Sequence, residues 1–264
     1  MATRRDGNST HGAKALRKPA PGKVIYLYGV GPAQSRPALP ASAGVDGIAP
    51  VEALPAAGML CWVSYVDRCE FADQLSEKMD DLDWLAAASV RHQQSVADVA
   101  AHTRILPARF GTVFLNYESL EADIRQRKSL LILALKRVAN ADEWGVKVFR
   151  ARQAAAATVS ARSGREYLTG KAAQLESQRR RKLDPGISSL AEALKAAAVE
   201  TAGAGKVSGA QPDLEWSASF LVRRKALSAF QAILKRFAPK LTPARRIEVT
   251  GPWPPYSFVA GNGQ

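Results

Sequence analysis

Residues 104–114 read Arg104-Ile105-Leu106-Pro107-Ala108-Arg109-Phe110-Gly111-Thr112-Val113-Phe114. The stretch is apolar and β-rich, with two arginines at 104 and 109 and one proline and one glycine inside it. Pro107 has no backbone N–H, so it suits a sheet edge or a strand start better than a central ladder. Gly111 permits a bulge or a close backbone approach. The stretch therefore predicts an edge strand with a kink that resumes at Val113 and Phe114.

Toward the N-terminus, Val24 to Tyr28 predicts a buried first strand that Gly29-Val30-Gly31-Pro32 ends. A Gly-x-Gly after a strand is part of a dinucleotide fingerprint, but Gln34 occupies the sixth position and prolines follow where the helix should run. Residues 31–58, rich in Ala, Pro and Gly, read as a long, mostly irregular connection. Met59 to Val66 predicts a second strand with Trp62 in the core. Leu75, Met79 and Leu82 are spaced for one helical face. Asp80, Asp81 and Asp83 mark the start of a further helix, where carboxylates oppose the positive dipole end; it runs to about Ala101. Past the central stretch, Leu120, Ile124, Leu131, Leu135 and Val138 form the stripe of a helix over 118–140. Together these elements predict one α+β domain.

The second half repeats the theme after a boundary at 141–143. Trp144-Gly145-Val146-Lys147-Val148 alternates as a strand. Ser163 and Glu166 form a capping box, opening a helix that ends at the basic cluster Arg179 to Lys182. A second, Ala-rich helix through Leu190 and Leu194 to about Thr201 completes a helical hairpin over 164–201. Gly203-Ala204-Gly205-Lys206-Val207 lacks the glycine spacing and the hydroxyl residue of a phosphate loop and reads as a linker. Leu214, Trp216, Ala218, Phe220 and Val222 alternate strictly; Leu227, Phe230, Leu234, Phe237 and Leu241 step by three and four and are closed by Pro239 and Pro243. Ile247 and Val249 start a last strand. Strand, hairpin, strand, helix, strand is most of a ferredoxin-like sandwich. The organisation expected is thus a disordered basic arm at 1–22, an α+β domain at 23–141, a ferredoxin-like α+β domain with a long helical hairpin at 142–259, and a tail at 260–264.

At 264 residues and 47% apolar composition the chain can bury a sizeable core. It lacks a membrane-length apolar run, and its first 21 residues lack a secretory h-region, so a cytoplasmic location is expected. The net charge of +13 implies attraction to something acidic: nucleic acid, a membrane surface or an acidic protein. Cys61 and Cys69 fit no zinc or redox spacing, and Cys61 reads as a small core residue. His92 and His102 fall off a common helical face and read as ordinary surface or helix-end histidines. No nucleophile elbow, paired carboxylates or metal-ligand set appears, so the expectation is a protein without catalytic residues, metal or cofactor.

Several segments resemble, in the same order, the gas vesicle protein family GvpL/GvpF. They are Tyr26-Leu27-Tyr28-Gly29-Val30, Leu106 to Phe114, Glu143 to Val148, Ser163-Gly164 with Tyr167-Leu168, Phe220-Leu221-Val222 and the ending Gly251-Pro252-Trp253-Pro254-Pro255-Tyr256-Ser257-Phe258. The ending is the most specific. The resemblance covers about residues 24–259. It implies two α+β domains and an accessory or minor structural role in gas vesicles, gas-filled shells built from a small, very hydrophobic subunit. The partners it implies are that shell subunit and other accessory proteins. The chain departs from the family pattern in its long 31–58 stretch, in Trp216-Ser217, and in the basic arm.

Candidate contact residues are Trp253, Tyr256 and Phe258, on a proline-stiffened segment that loses little entropy on binding, and Arg109 and Phe110 in the central stretch. The other occupant of this ending is its own domain, which could bury Trp253 and Phe258. The rival function is a nucleic-acid-binding module on a basic ferredoxin-like domain. Against it stand a 7% aromatic content and the inward register of Trp144 and Trp216.

Overall fold

The computed structural model describes residues 19–34, 39–40, 43–151, 184–203 and 213–259. The capping box at 163–166, the first helix of the expected hairpin, the cluster Arg179 to Lys182, the expected linker at 203–207 apart from Gly203, and nearly all of the basic arm lie outside these residues. The chain divides into two units. One takes residues 19–140 together with 253–259; the other takes 141–252. The last segment thus belongs with the first unit, and the sequence-based assignment of 253–259 to the second domain is corrected.

The first unit is built on β1 (Lys23–Pro32), β2 (Glu52–Ala56), β3 (Met59–Asp67), β4 (Leu106–Pro107) and β5 (Val113–Phe114). Its strand order is β2-β3-β1-β4, with β5 also on β1, and the pairs along it are antiparallel. Two expectations are corrected here. β1 does not end at Tyr28, because Gly29, Val30, Gly31 and Pro32 stay paired with Trp62 to Met59. A side chain at 29 would meet the Leu106 carbonyl at 2.5 Å, so glycine is what lets β4 close on β1. The 31–58 stretch is not irregular throughout, because β2 turns into β3 through Ala57 and Gly58, both at positive φ, as a type I′ hairpin requires. Pro55 misleads as a strand breaker; it lies on an edge strand, where a missing donor is tolerated.

Helices cover both faces of this sheet. A short π-helical turn at Cys69–Asp73 leads to α1 (Leu75–Asp80) and α2 (Leu82–His102). Asp81 caps α2, its carboxylate accepting from the N–H groups of Asp83 and Trp84, where the run of aspartates predicts a helix start. Val24, Tyr26, Tyr28 and Trp62 pack with Phe71 and with Ala88, Val96 and Val99 of α2. Strand residues of the other parity, such as Ile25, Leu27 and Cys61, face α3 (Tyr117–Arg137). Asn116 and Ser119 cap α3 reciprocally, and its buried side is Leu120, Ile124, Leu131 and Leu135, the stripe read from periodicity.

The second unit contains β6 (Ala141–Arg150), α4 (Pro185–Ala197), β7 (Glu200–Gly203), β8 (Leu214–Arg223), α5 (Leu227–Leu241) and β9 (Arg245–Trp253), in the sheet order β7-β8-β6-β9. Val146, Val148, Ala218, Phe220 and Val222 form the core face, filled by Ile187, Leu190 and Leu194 of α4 and by Phe230, Phe237 and Leu241 of α5. Three further corrections apply. The Ala-rich helix stops at Ala197, and Glu200–Gly203 is an edge strand paired with β8. α5 runs through Pro239 to Leu241 rather than ending at the proline; the buried Phe237 and Leu241 hold the last turn in place. β9 carries the chain as strand to Trp253.

A candidate interaction site beside the C-terminal segment

The central stretch is an edge strand interrupted by an excursion. β4 pairs Pro107 with Gly29, and the Ala108 N–H donates to the Tyr28 carbonyl at 2.8 Å. β5 pairs Val113 with Tyr26, and Thr112 accepts from the Leu27 N–H at 2.9 Å. Between them Arg109 to Thr112 loop out as a turn closed by Thr112 N–H to the Arg109 carbonyl, 3.2 Å, with Gly111 at φ +79. A positive φ at the third residue is the type II requirement that glycine meets without strain.

The excursion sends successive side chains to opposite sides of the sheet. Phe110 folds onto the α2 side, 5.9 Å from the His92 ring, 6.3 Å from Tyr26 and 6.2 Å from Trp84. Arg109 is exposed and lines a cleft on the α3 side. That cleft, of about 280 Å³, is lined by Leu27, Val30, Leu106, Pro107, Phe114 and Leu131 together with Arg109, Thr112 and the Asp123–Arg127 ion pair.

The C-terminal segment crosses this sheet edge. Tyr256 packs against the α2-side core, 6.4 Å from His92. Two residues on, Phe258 is 2% exposed, its carbonyl accepts from Arg137, and Val259 lines the cleft on the α3 side. The segment therefore covers the edge that β4 and β5 leave open, a common way of protecting unpaired backbone groups.

His92 corrects a sequence reading: it is no surface histidine but a core one, 2% exposed. Its Nδ1 lies 2.9 Å from Tyr26 Oη, and Tyr26 Oη accepts from the Gly111 N–H at 3.1 Å. With Oη already accepting from Gly111, the tyrosine proton is free to go to Nδ1. Burial lowers the His92 pKa to about 4, with the Ala108 carbonyl opposing, so the ring is neutral near pH 7. Burial also raises the Tyr26 and Tyr28 hydroxyls. Tyr28 Oη donates to Ser64 Oγ at 2.9 Å and accepts from the Val45 N–H at 2.8 Å, and Ser64 passes the chain on to the Pro50 carbonyl. These groups tie β1, α2, the 43–50 segment and the Gly111 turn together. They hold the site in shape rather than offering a reactive group.

The expected contact residues separate accordingly. Phe110, Tyr256 and Phe258 are anchors turned into the protein. Arg109 and Trp253, the latter 48% exposed, remain accessible. Sequence reasoning missed the outward side of α3, where Leu130 and Leu133 are 53% and 61% exposed. The signal was legible: Leu130-Leu131-Ile132-Leu133 is four apolar residues in a row, and a helix of 3.6 residues per turn can bury only some of them. Among the described residues no group of His, Cys, Asp and Glu is arranged to hold a metal ion, and no helix is long and apolar enough to cross a membrane.

The edge excursion and the ending that crosses it are both among the segments that resemble the gas vesicle protein family GvpL/GvpF. A family model described as gas vesicle synthesis protein GvpL/GvpF matches residues 24–260, and the chain belongs to this family. Gas vesicle protein L of Streptomyces sp. (strain CB03234) is 29% identical over 257 residues, covering 90% of this chain and 93% of that protein. In fold the chain is similar to the crystal structure of GvpF from Anabaena sp. PCC7120, with a TM-score of 0.64 at 19% identity, over 91% of this chain and 98% of that one. GvpF from Microcystis aeruginosa gives a TM-score of 0.63 at 20% identity, over 89% and 98%. The family ties the chain to gas vesicles.

Proposed function

We propose that the protein is an assembly factor that binds the hydrophobic shell subunit of the gas vesicle, and other accessory proteins, through the first unit. The observation that carries this reading is the convergence of two separately nominated segments. The excursion at 108–112 and the C-terminal segment line one cleft, and the exposed leucines of α3 and Trp253 belong to the same unit. Exposed apolar side chains gathered on one unit suit a partner that is itself apolar. The second unit supplies a separate, basic module. Its sheet order and the packing of α4 and α5 on one face, among the described residues, support the expected ferredoxin-like sandwich.

The test is capture of the shell subunit from cells making gas vesicles. Val259→Trp fills the cleft without touching the buried tyrosines, and Leu130→Ser with Leu133→Ser makes the outer side of α3 polar. Capture should fall in both variants while the melting temperature holds. Undiminished capture by both would reject the first unit as the contact.

A further inference from the structure

In the second unit, α5 carries three cations and no carboxylate. Residues 216–247 contain no Asp or Glu. Within that run, Arg224 pairs with Asp142, Arg245 with Glu215 and Asp184, and Arg246 with Glu248. Lys225, Lys235, Arg236 and Lys240 have no carboxylate partner among the described residues. With Phe230, Phe237 and Leu241 turned into the core, the outward side of α5 is Ser228, Ala232, Lys235, Arg236, Pro239 and Lys240. Arg236 and Lys240 lie over the edge of the Phe237 ring, 5.2 and 5.3 Å from its centroid, so their heads are held one helical turn apart against the helix. The result is a positive frame around a strip of small side chains.

The chain carries the complement of this face. Residues 73–83 hold five acidic residues and one lysine. Asp73 pairs with Arg68, and Asp81 caps α2. Glu77, Asp80 and Asp83 are exposed, and their carboxylates have no partner among the described residues. Between them stand Met79, 42% exposed, and Leu82, 77% exposed. Glu77 and Asp80 are three residues apart on a helix, a spacing that matches the one-turn spacing of Arg236 and Lys240. An apolar pair ringed by carboxylates fits a small-residue strip ringed by cations. A nucleic acid would use the cations alone, and α5 offers no exposed aromatic side chain for base stacking.

We propose that copies of this chain associate head to tail, with α5 of one copy docked on residues 77–83 of the next. The two patches differ, so the contact joins unlike surfaces: it builds rings or open chains when made once per pair and closes a two-fold dimer when made reciprocally. Charge complementarity of this kind steers and orients association and is weakened by salt.

The experiment is sedimentation velocity on the nuclease-treated full chain, at about 50 mM and about 300 mM salt. The wild type should gain mass with concentration at low salt and associate about tenfold more weakly at high salt. K235E/R236E/K240E and E77K/D80K/D83K should each be monomeric with an unchanged circular dichroism spectrum. Mixed together they should associate again, because each then supplies the charge that the other lost, which a folding defect cannot mimic. A wild type that stays monomeric at low salt overturns the proposal, as does association that survives in both variants or a mixture that fails to reassociate. Association that disappears on nuclease treatment overturns it in favour of a nucleic-acid polyanion.

Discussion

Lowering the pH should loosen the first unit through one residue, His92. Its ring is enclosed by Tyr26, Tyr28, Phe110 and Tyr256, and burial takes its pKa down to about 4. The unfolded chain titrates near the ordinary value of about 6.5. Folding therefore favours the neutral ring. The full stability is present above about pH 6.5 and declines as the pH falls toward about 4, where the folded ring also takes a proton. About 2.5 pH units at about 1.4 kcal/mol each give a loss of about 3.5 kcal/mol once the pH is below about 4. Glu52, whose pKa is raised by burial, acts in the opposite sense, because its protonation at low pH favours the folded state. The assay is urea unfolding followed through tryptophan fluorescence from about pH 7.5 to about pH 4.5, alongside the His92 ring resonance by NMR. His92→Gln, whose amide oxygen can still accept from Tyr26 Oη, should flatten the pH dependence. A His92 resonance titrating near 6.5, or an equal pH slope in His92→Gln, would refute the reasoning.

Other outcomes follow from single contacts. Gly29→Ala should lower stability by about 1–3 kcal/mol, read by thermal melting, because its Cβ would lie 2.5 Å from the Leu106 carbonyl and 2.6 Å from the Ile105 side chain. Trp253→Ala should cost about 0.5 kcal/mol, as surface changes do, whereas Tyr256→Ala should cost more and release the C-terminal segment to proteases. A Trp253→Ala variant that melts far lower would show the ending to be wholly structural. Glu215→Gln should cost about 1 kcal/mol in the second unit at low salt and less at high salt, since one carboxylate serves both Arg150 and Arg245.

What was legible in the chain was whatever periodicity or chain chemistry enforces locally. The stripe of Leu120, Ile124, Leu131 and Leu135, the aspartate start of α2 and the strict alternation of β8 could be read because each pattern has one physical solution. Pro107 and Gly111 announced an edge with a kink for the same reason; that the kink is a full turn between two short strands was not legible. β2 and β7 were hidden. Pro55 and Gly58 look like breakers until a neighbouring strand makes an edge and a hairpin turn of them, and β7 is a four-residue strand whose pairing with β8 is a tertiary fact. His92 was misread because a histidine on a helix gives no sign of which tyrosines will surround it. The proposed contact residues were half legible: the ending and the Arg109–Phe110 pair were recognisable as special, but only the fold shows that Phe110, Tyr256 and Phe258 turn inward while Arg109 and Trp253 do not.

The measurement that bears most directly on the central claim is site-directed photo-crosslinking in cells assembling gas vesicles. A photoreactive residue replaces Thr112, on the cleft wall, in one strain and Gln231, on the exposed side of α5, in another. The account predicts a covalent adduct with the shell subunit from position 112 and none from position 231. An adduct from 231 with none from 112 would contradict it.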